Sequence, residues 1–263
     1  MEHIFIVSSH EEYPACAVDL ALHLSRAYQK PICFLAYLDK KIKAAEEEIK
    51  QTQELWKEQL SQQETSNVFS FVLQTIDDFE PHVEASGASI VLFQLSENAG
   101  YNKVKPFLKI SRELRIPYIF TKPYFSPVNL SKIFIPVIFL QEDREKAMLG
   151  SGLGRFCDSE LLLMPAKDFG TKTKQNTDAI IAVLEKFKLN YQIINAKNDS
   201  FKVELEATRR AEELRAGMVI ISASREYGLD DIIFGPKELA CINEATVPIA
   251  LINPRDDLYV LCD

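Results

Sequence analysis

Met218-Val219-Ile220-Ile221-Ser222-Ala223-Ser224-Arg225 is the stretch whose reading decides the fold. Four apolar residues, three of them β-branched, stop abruptly at small polar ones. A strand buried on both faces reads this way, and its polar end is where the chain turns toward the next helix. Val247-Pro248-Ile249-Ala250-Leu251-Ile252 is a second such strand. Both have counterparts earlier in the chain, Ile90 to Leu95 and Ile116-Pro117-Tyr118-Ile119-Phe120. Ile133-Phe134-Ile135 likewise repeats Ile4-Phe5-Ile6. The offset is about 129 residues each time, so the spacing indicates an internal duplication.

Working outward, strands and helices alternate. Strands are expected at Ile4–Val7, Ile32–Leu38, Val68–Leu73, Ile90–Leu95 and Ile116–Thr121. The repeat supplies Ile133–Ile135, Ser159–Met164, Tyr191–Asn195, Met218–Ser222 and Val247–Ile252. Tyr13–Gln29 carries Ala17, Leu20, Ala21 and Leu24 at helical spacing. Ile42, Ala45, Ile49, Trp56 and Leu60 make a narrow stripe on a long charged helix. Asp77-Asp78 opens another helix, through Ser86. Val104–Arg115 is helical, with Pro106 in its first turn. Thr177–Lys188 turns Ile180, Ile181, Leu184 and Phe187 inward, and Val203–Ala216 is helical. Tyr124-Phe125-Ser126-Pro127 reads as a linker between domains 1–125 and 126–263. The alternation predicts an α/β fold with parallel sheets covered by helices on both faces. In such sheets a ligand lies beyond the carboxyl ends of the strands, where the strand order reverses.

Composition narrows the function classes. The chain has 263 residues, a net charge of -8 and 47% hydrophobic residues. An acidic chain of this kind does not suit general nucleic-acid binding. Its five cysteines, Cys16, Cys33, Cys157, Cys241 and Cys262, contain no CxxC pair, so reduced thiols in the cytoplasm are expected. No apolar run approaches the ~20 residues of a membrane span, and no membrane role is expected. His3, His10, His23 and His82 show no metal-ligand spacing, and no catalytic nucleophile motif occurs. Gly150-Ser151-Gly152-Leu153-Gly154 falls inside a helix by the repeat register, so a close helix contact or a broken helix explains it better than a dinucleotide loop. Glu46-Glu47-Glu48 and Glu212-Glu213 read as solvated helix faces, as do Lys103, Lys105 and Lys109.

The strip from Met218 to Leu229, with Ile232-Ile233-Phe234-Gly235 and the strand Val247–Ile252, resembles the C-terminal half of a universal stress protein domain. Ile133-Phe134-Ile135-Pro136-Val137 resembles the opening of one. With the duplication, the whole chain resembles a tandem member of that family. The resemblance implies two Rossmann-like domains, each a five-stranded parallel sheet with helices on both faces. Many members bind ATP, through an Asp after the first strand and a loop G-x-x-G-(x)9-G-[S/T] after the fourth. There glycines admit backbone N–H groups to the phosphates, and a helix N-terminus favours the anion.

Carried onto this chain, the nucleotide positions are Val137, Ile138, Ser222, Arg225, Gly235 and Pro236. Only Gly235 keeps the family residue. Ser222 and Arg225 replace the first two glycines, Pro236 replaces the Ser or Thr, and Ile138 stands where Asp is expected. In the first half, Ser8, Ser9 and His10 occupy the turn of that Asp, while Val104 and Lys105 fall where Gly-Ser would be. The family-type cradle is thus largely dismantled, and no cofactor is expected. The resemblance implies a stress-response protein without catalytic residues, acting through protein contacts. It also implies pairing of the two halves as the family's dimers pair, through the fifth strands Ile116–Thr121 and Val247–Ile252. The tail Asp257–Asp263, with Leu258, Tyr259, Val260 and Leu261, is itself expected to add an edge strand or to reach a second chain in a homodimer. The alternative is an adenine-nucleotide (ATP or AMP) switch or weak ATPase, in which the Arg225 guanidinium replaces the lost N–H groups.

Overall fold

The computed structural model describes residues 2–7, 12–38, 46–61, 68–96, 101–125, 128–224 and 236–255. The chain forms two compact units, Met1–Val128 and Asn129–Asp263. Ser126 and Pro127 of the expected linker lie outside the described residues.

In the first unit the order is β1 (Ile4–Val7), α1 (Ala15–Tyr28), β2 (Ile32–Tyr37), α2 (Glu46–Ser61), β3 (Val68–Leu73), α3 (Phe79–Ala85), β4 (Ile90–Gln94), α4 (Tyr101–Ile110) and β5 (Tyr118–Thr121). The strands lie side by side as β3-β2-β1-β4-β5, each pair parallel. The second unit runs β6 (Lys132–Val137), α5 (Lys146–Phe156), β7 (Glu160–Pro165), α6 (Lys172–Lys186), β8 (Tyr191–Ile193), α7 (Val203–Arg210), β9 (Met218–Ser222), α8 (Lys237–Glu244) and β10 (Ile249–Ile252). Its strands lie as β8-β7-β6-β9-β10, again parallel. The order is the same in both units. The chain reverses direction between β1 and β4 in the first and between β6 and β9 in the second.

Every residue of β1, β9 and β10 is buried. A strand shows successive side chains to opposite faces, so unbroken burial means that both faces are covered. β3, whose residues alternate between half-buried and exposed as far as Val72, is covered on one face only.

Some element ends and faces differ from expectation. α4 begins at Tyr101, which places Pro106 in its second turn. α6 starts five residues before Thr177 because its first buried residues, Thr173 and Asn176, are polar. It ends at Lys186, so Phe187 lies outside the helical period and is 47% exposed instead of turned inward. The helix expected to Ala216 ends at Arg210. Asp77-Asp78 belongs to a 3-10 turn, Ile76–Asp78, where Thr75 and Asp78 form a capping box. The glycine segment Gly150–Gly154 is continuous α-helix within α5. A Cβ on Gly150 would stand 2.7 Å from Ile135 Cδ1, so the glycine lets the helix close on β6.

Candidate functional site

The reversal point of the second unit is built around an interrupted ladder. β6 pairs with β9 through Ile133↔Met218 and Phe134↔Val219. Pro136 has no N–H to continue it, and carried forward the register sets Val137 level with Ser222. At this level the backbone finds side chains. Lys146 Nζ donates to the Pro136 carbonyl at 2.8 Å, and the Ser222 N–H donates to Glu204 Oε1 at 3.0 Å. In the first unit, by contrast, β1 pairs with β4 over all four residues, Ile4 to Val7.

The side chains that fill this gap form one connected ionic cluster. Lys146, at the start of α5, is fully buried. Its ammonium has three protons and three acceptors: the Pro136 carbonyl, Asp143 Oδ1 at 2.7 Å and Glu204 Oε1 at 3.1 Å. Asp143, also fully buried, accepts from the Ile138 N–H at 2.8 Å and the Ser222 hydroxyl at 2.7 Å. Glu204 on α7 reaches Lys237 of α8 through Oε2 at 2.9 Å. Two carboxylates and two ammoniums balance, as burial of charge requires. Beside them, Glu238 accepts from the N–H and hydroxyl of Ser224.

The electrostatics follow from this geometry. Burial raises the Glu204 carboxyl, but Lys237 and Lys146 outweigh it and hold the group at about 2. Full burial pushes the Asp143 carboxyl above its ordinary value, against the pull of Lys146 and Ser222. Burial also raises Glu238. For Lys237, burial lowers the ammonium and Glu204 more than restores it, leaving it above its usual range. Its side chain is 38% exposed, so it is the member of the four with access to solvent.

The turn after β6, where a ligand would sit, is also committed internally. The Phe139 N–H donates to Ser200 Oγ at 3.0 Å. Asn176 Nδ2 donates to the carbonyls of Ile138 and Leu140 at 2.9 and 2.7 Å. Ser200 is in turn held by Asp168, whose Oδ1 accepts the Ser200 N–H at 2.9 Å and whose Oδ2 accepts the Ser200 hydroxyl. Among the described residues, the N–H groups of Ile138, Phe139 and Ser222, which could serve an anion at this strand end, donate instead to Asp143, Ser200 and Glu204.

Of the residues singled out by sequence, Val137, Ile138 and Ser222 come together here, Ile138 and Ser222 bridged by Asp143. Pro236 is the N-cap residue of α8, directly before Lys237. Arg225 and Gly235 lie outside the described residues, as do Ser8, Ser9 and His10 of the first unit. The sequence reading missed Asp143, Lys146, Glu204 and Lys237. Asp143 and Lys146 stand at i,i+3, and Glu204 and Thr208 stack at i,i+4 on the buried face of α7. That polar stripe was the available signal.

The first unit solves its reversal point differently. Gln94, at the end of β4, accepts through Oε1 from the Ala17 N–H at 2.9 Å and the Thr121 hydroxyl at 3.1 Å. A neutral amide therefore occupies the first turn of α1. The cleft beside it, lined by Tyr13, Gln94, Ser96 and Pro123, has a volume of about 60 Å³. Drug-sized ligands use pockets of ~300 Å³ or more. His3 packs on Phe5 and Phe69, and His82 stacks on Phe71 at 4.2 Å. Among the described residues no three His, Cys, Asp or Glu side chains converge to hold a metal ion, and no helix is long and apolar enough to cross a membrane.

No family model matches this chain, and no curated protein matches it by sequence. Solved structures do match it in fold. A universal stress protein from Archaeoglobus fulgidus DSM 4304 superposes with a TM-score of 0.68 at 10% identity, over 96% of this chain and 97% of that one. A candidate universal stress protein from Pseudomonas aeruginosa UCBPP-PA14 gives 0.63 at 15% identity, over 98% and 95%. The cytoplasmic domain of a prokaryotic cation chloride cotransporter gives 0.55 at 11% identity, over 95% of each. At these identities the likeness is one of fold: the chain has the α/β architecture of the universal stress proteins.

Proposed function

We propose that this chain is a tandem universal stress protein-like regulatory protein of the stress response. On this reading it performs no chemistry of its own and works through contacts with other proteins. One observation carries the proposal. The strand ends at which a nucleotide would bind in the second unit are bridged by Asp143, Lys146, Glu204 and Lys237. A triphosphate entering there would meet two buried carboxylates and would have to break several charge-assisted hydrogen bonds. Each is worth ~1.5–3 kcal/mol, so their loss costs orders of magnitude in affinity. Pro236 supports the same reading, because it brings neither a hydroxyl nor an N–H to the N-terminus of α8.

Isothermal calorimetry of the full chain with ATP, ADP and AMP tests the proposal. The expected result is no binding tighter than about 1 mM, where the binding free energy is only ~4 kcal/mol. Micromolar affinity for any of the three, abolished by Arg225→Ala, would establish the nucleotide-switch reading instead.

A further inference from the structure

Away from the ionic cluster, the loops after β7 and β8 carry the most exposed aromatic side chains among the described residues of the second unit. Phe169 is 109% exposed and Phe201 82%. They stand next to a bonded pair, since Asp168 accepts from the N–H and hydroxyl of Ser200. Phe201 also meets Phe139 edge-on, with ring centroids 5.9 Å apart. These hydrogen bonds fix the loops that present the rings, so ordering them costs a ligand little. Exposed Lys172, Lys197 and Lys202 flank the rings. The carboxylates nearest in sequence are already engaged: Asp168 by Ser200, and Asp199 by the Phe201 N–H at 3.1 Å. Both aspartates keep their charge, yet over 166–172 and 194–202 four lysines, Lys167, Lys172, Lys197 and Lys202, outnumber them, so this end is locally basic in a chain of net charge -8. Phe201 and its neighbour Phe139 make a contiguous apolar patch, and such patches, unlike single exposed side chains, mark interaction surfaces.

We propose that this surface docks the chain's own segment 256–263, Asp256-Asp257-Leu258-Tyr259-Val260-Leu261-Cys262-Asp263. The segment carries three aspartates and no basic residue, with Leu258, Tyr259, Val260 and Leu261 between them. It matches lysines with carboxylates and phenylalanines with apolar side chains. Its point of departure is fixed at the right place. The Arg255 N–H donates to Glu145 Oε1 at 3.1 Å, and Glu145 ends the 3-10 turn Gln141–Glu145 that follows Phe139 and Leu140. The reach is also sufficient. Eight extended residues span at most about 26 Å. Neighbouring strands are ~4.8 Å apart. With strand order β10-β9-β6-β7-β8, the ends of β7 and β8 therefore lie roughly 14 and 19 Å across the sheet from the end of β10. Docked in this way, the segment covers the rings, and any protein that uses them must displace it.

Carbodiimide coupling of the full chain, read by mass spectrometry on an equal mixture of ordinary and nitrogen-15-labelled protein, tests the assignment. The reagent joins a carboxylate to an amine as an amide only where the two already touch. The exposed pair Lys174–Asp178, 2.6 Å apart, serves as the internal control. The expected products join Asp256, Asp257 or Asp263 to Lys172, Lys197 or Lys202 within one isotopic copy. Phe169→Ala combined with Phe201→Ala should reduce their yield at least fivefold while the control pair is unchanged. Both rings are exposed, so the variant keeps its fold. Coupling of those aspartates to other lysines overturns the proposal, as does coupling between isotopic copies. So does an undiminished yield in the double variant, or no coupling while the control reacts.

Discussion

Replacing Lys146 by Met keeps the length and apolar stem of the side chain and removes its charge. Three acceptors then lose their donor: the Pro136 carbonyl, Asp143 Oδ1 and Glu204 Oε1. Two carboxylates remain, Asp143 with no exposure and Glu204 with 5%. Removing one partner of a buried ion pair costs about 3–5 kcal/mol, because the remaining charge stays buried and uncompensated. In a unit of this size that lowers the unfolding midpoint by roughly 10–20 °C. The assay is thermal unfolding at pH 7 followed by far-ultraviolet circular dichroism. Trp56, the sole tryptophan, lies in the first unit and reports on it separately by fluorescence. The deficit should shrink as the pH is lowered toward ~4, since the orphaned carboxyls take up protons and cease to be charged. A triple variant, Asp143→Asn with Lys146→Met and Glu204→Gln, should recover about half of the loss or more. It removes the charges of Asp143, Lys146 and Glu204 together, and Lys237 can turn to solvent. A Lys146→Met protein within about 1 kcal/mol of the parent would refute the reasoning, because that is the cost of an ordinary substitution. So would a triple variant less stable than the single one.

Gly217→Ala should cost more than about 3 kcal/mol or prevent folding, since its Cβ would lie 1.5 Å from the Asn129 carbonyl oxygen and backbone cannot yield. Gly150→Ala should be nearly neutral by urea titration, because the new Cβ meets only the mobile end of Ile135 and the helix gains about 1 kcal/mol of propensity. Acid should weaken the second unit through Glu204. Its carboxyl is held at about 2 when folded, so its contribution is complete above its unfolded value near 4.5 and fades as the pH falls toward 2. Asp143, whose folded value is raised, works in the opposite direction, favouring the folded state as it protonates. Glu204→Gln should therefore flatten the acid limb of stability measured by urea unfolding between pH 5 and 2.

Strands and their order of appearance were legible because burial on both faces writes itself as continuous Val, Ile, Leu and Phe. Met218–Ser222 has the same ends in the sequence and in the fold. Helix ends were less legible where polar residues face inward. In α7, Glu204 is buried while Leu205 is only half-buried, the reverse of their hydropathies. In α6, Thr173 and Asn176 occupy the inward face ahead of the first apolar residue. The site suffered from the same blindness. Val137, Ile138 and Ser222 were found because strand ends are predictable. The cluster depends on Lys146, Glu204 and Lys237 meeting from three helices, and no local pattern encodes a contact between residues 58 positions apart.

One sheet order has been completed in two chemically different ways. In the first unit β1 and β4 pair along their whole length, and a neutral amide from Gln94 closes the N-terminus of α1. In the second, Pro136 ends the β6–β9 pairing early, and charges take over where ladder hydrogen bonds stop. The two solutions respond differently to their surroundings. An amide does not titrate, so the Gln94 contacts themselves carry no charge change with pH. The second unit's junction is an ion cluster with one solvent-accessible arm, Lys237. Lys237 leads α8, and whatever neutralises or captures its ammonium acts on Glu204, and through Glu204 on the Ser222 backbone and Lys146. Lys237 thus sets a charge at the surface that is bonded, through Glu204, to the backbone at the end of β9.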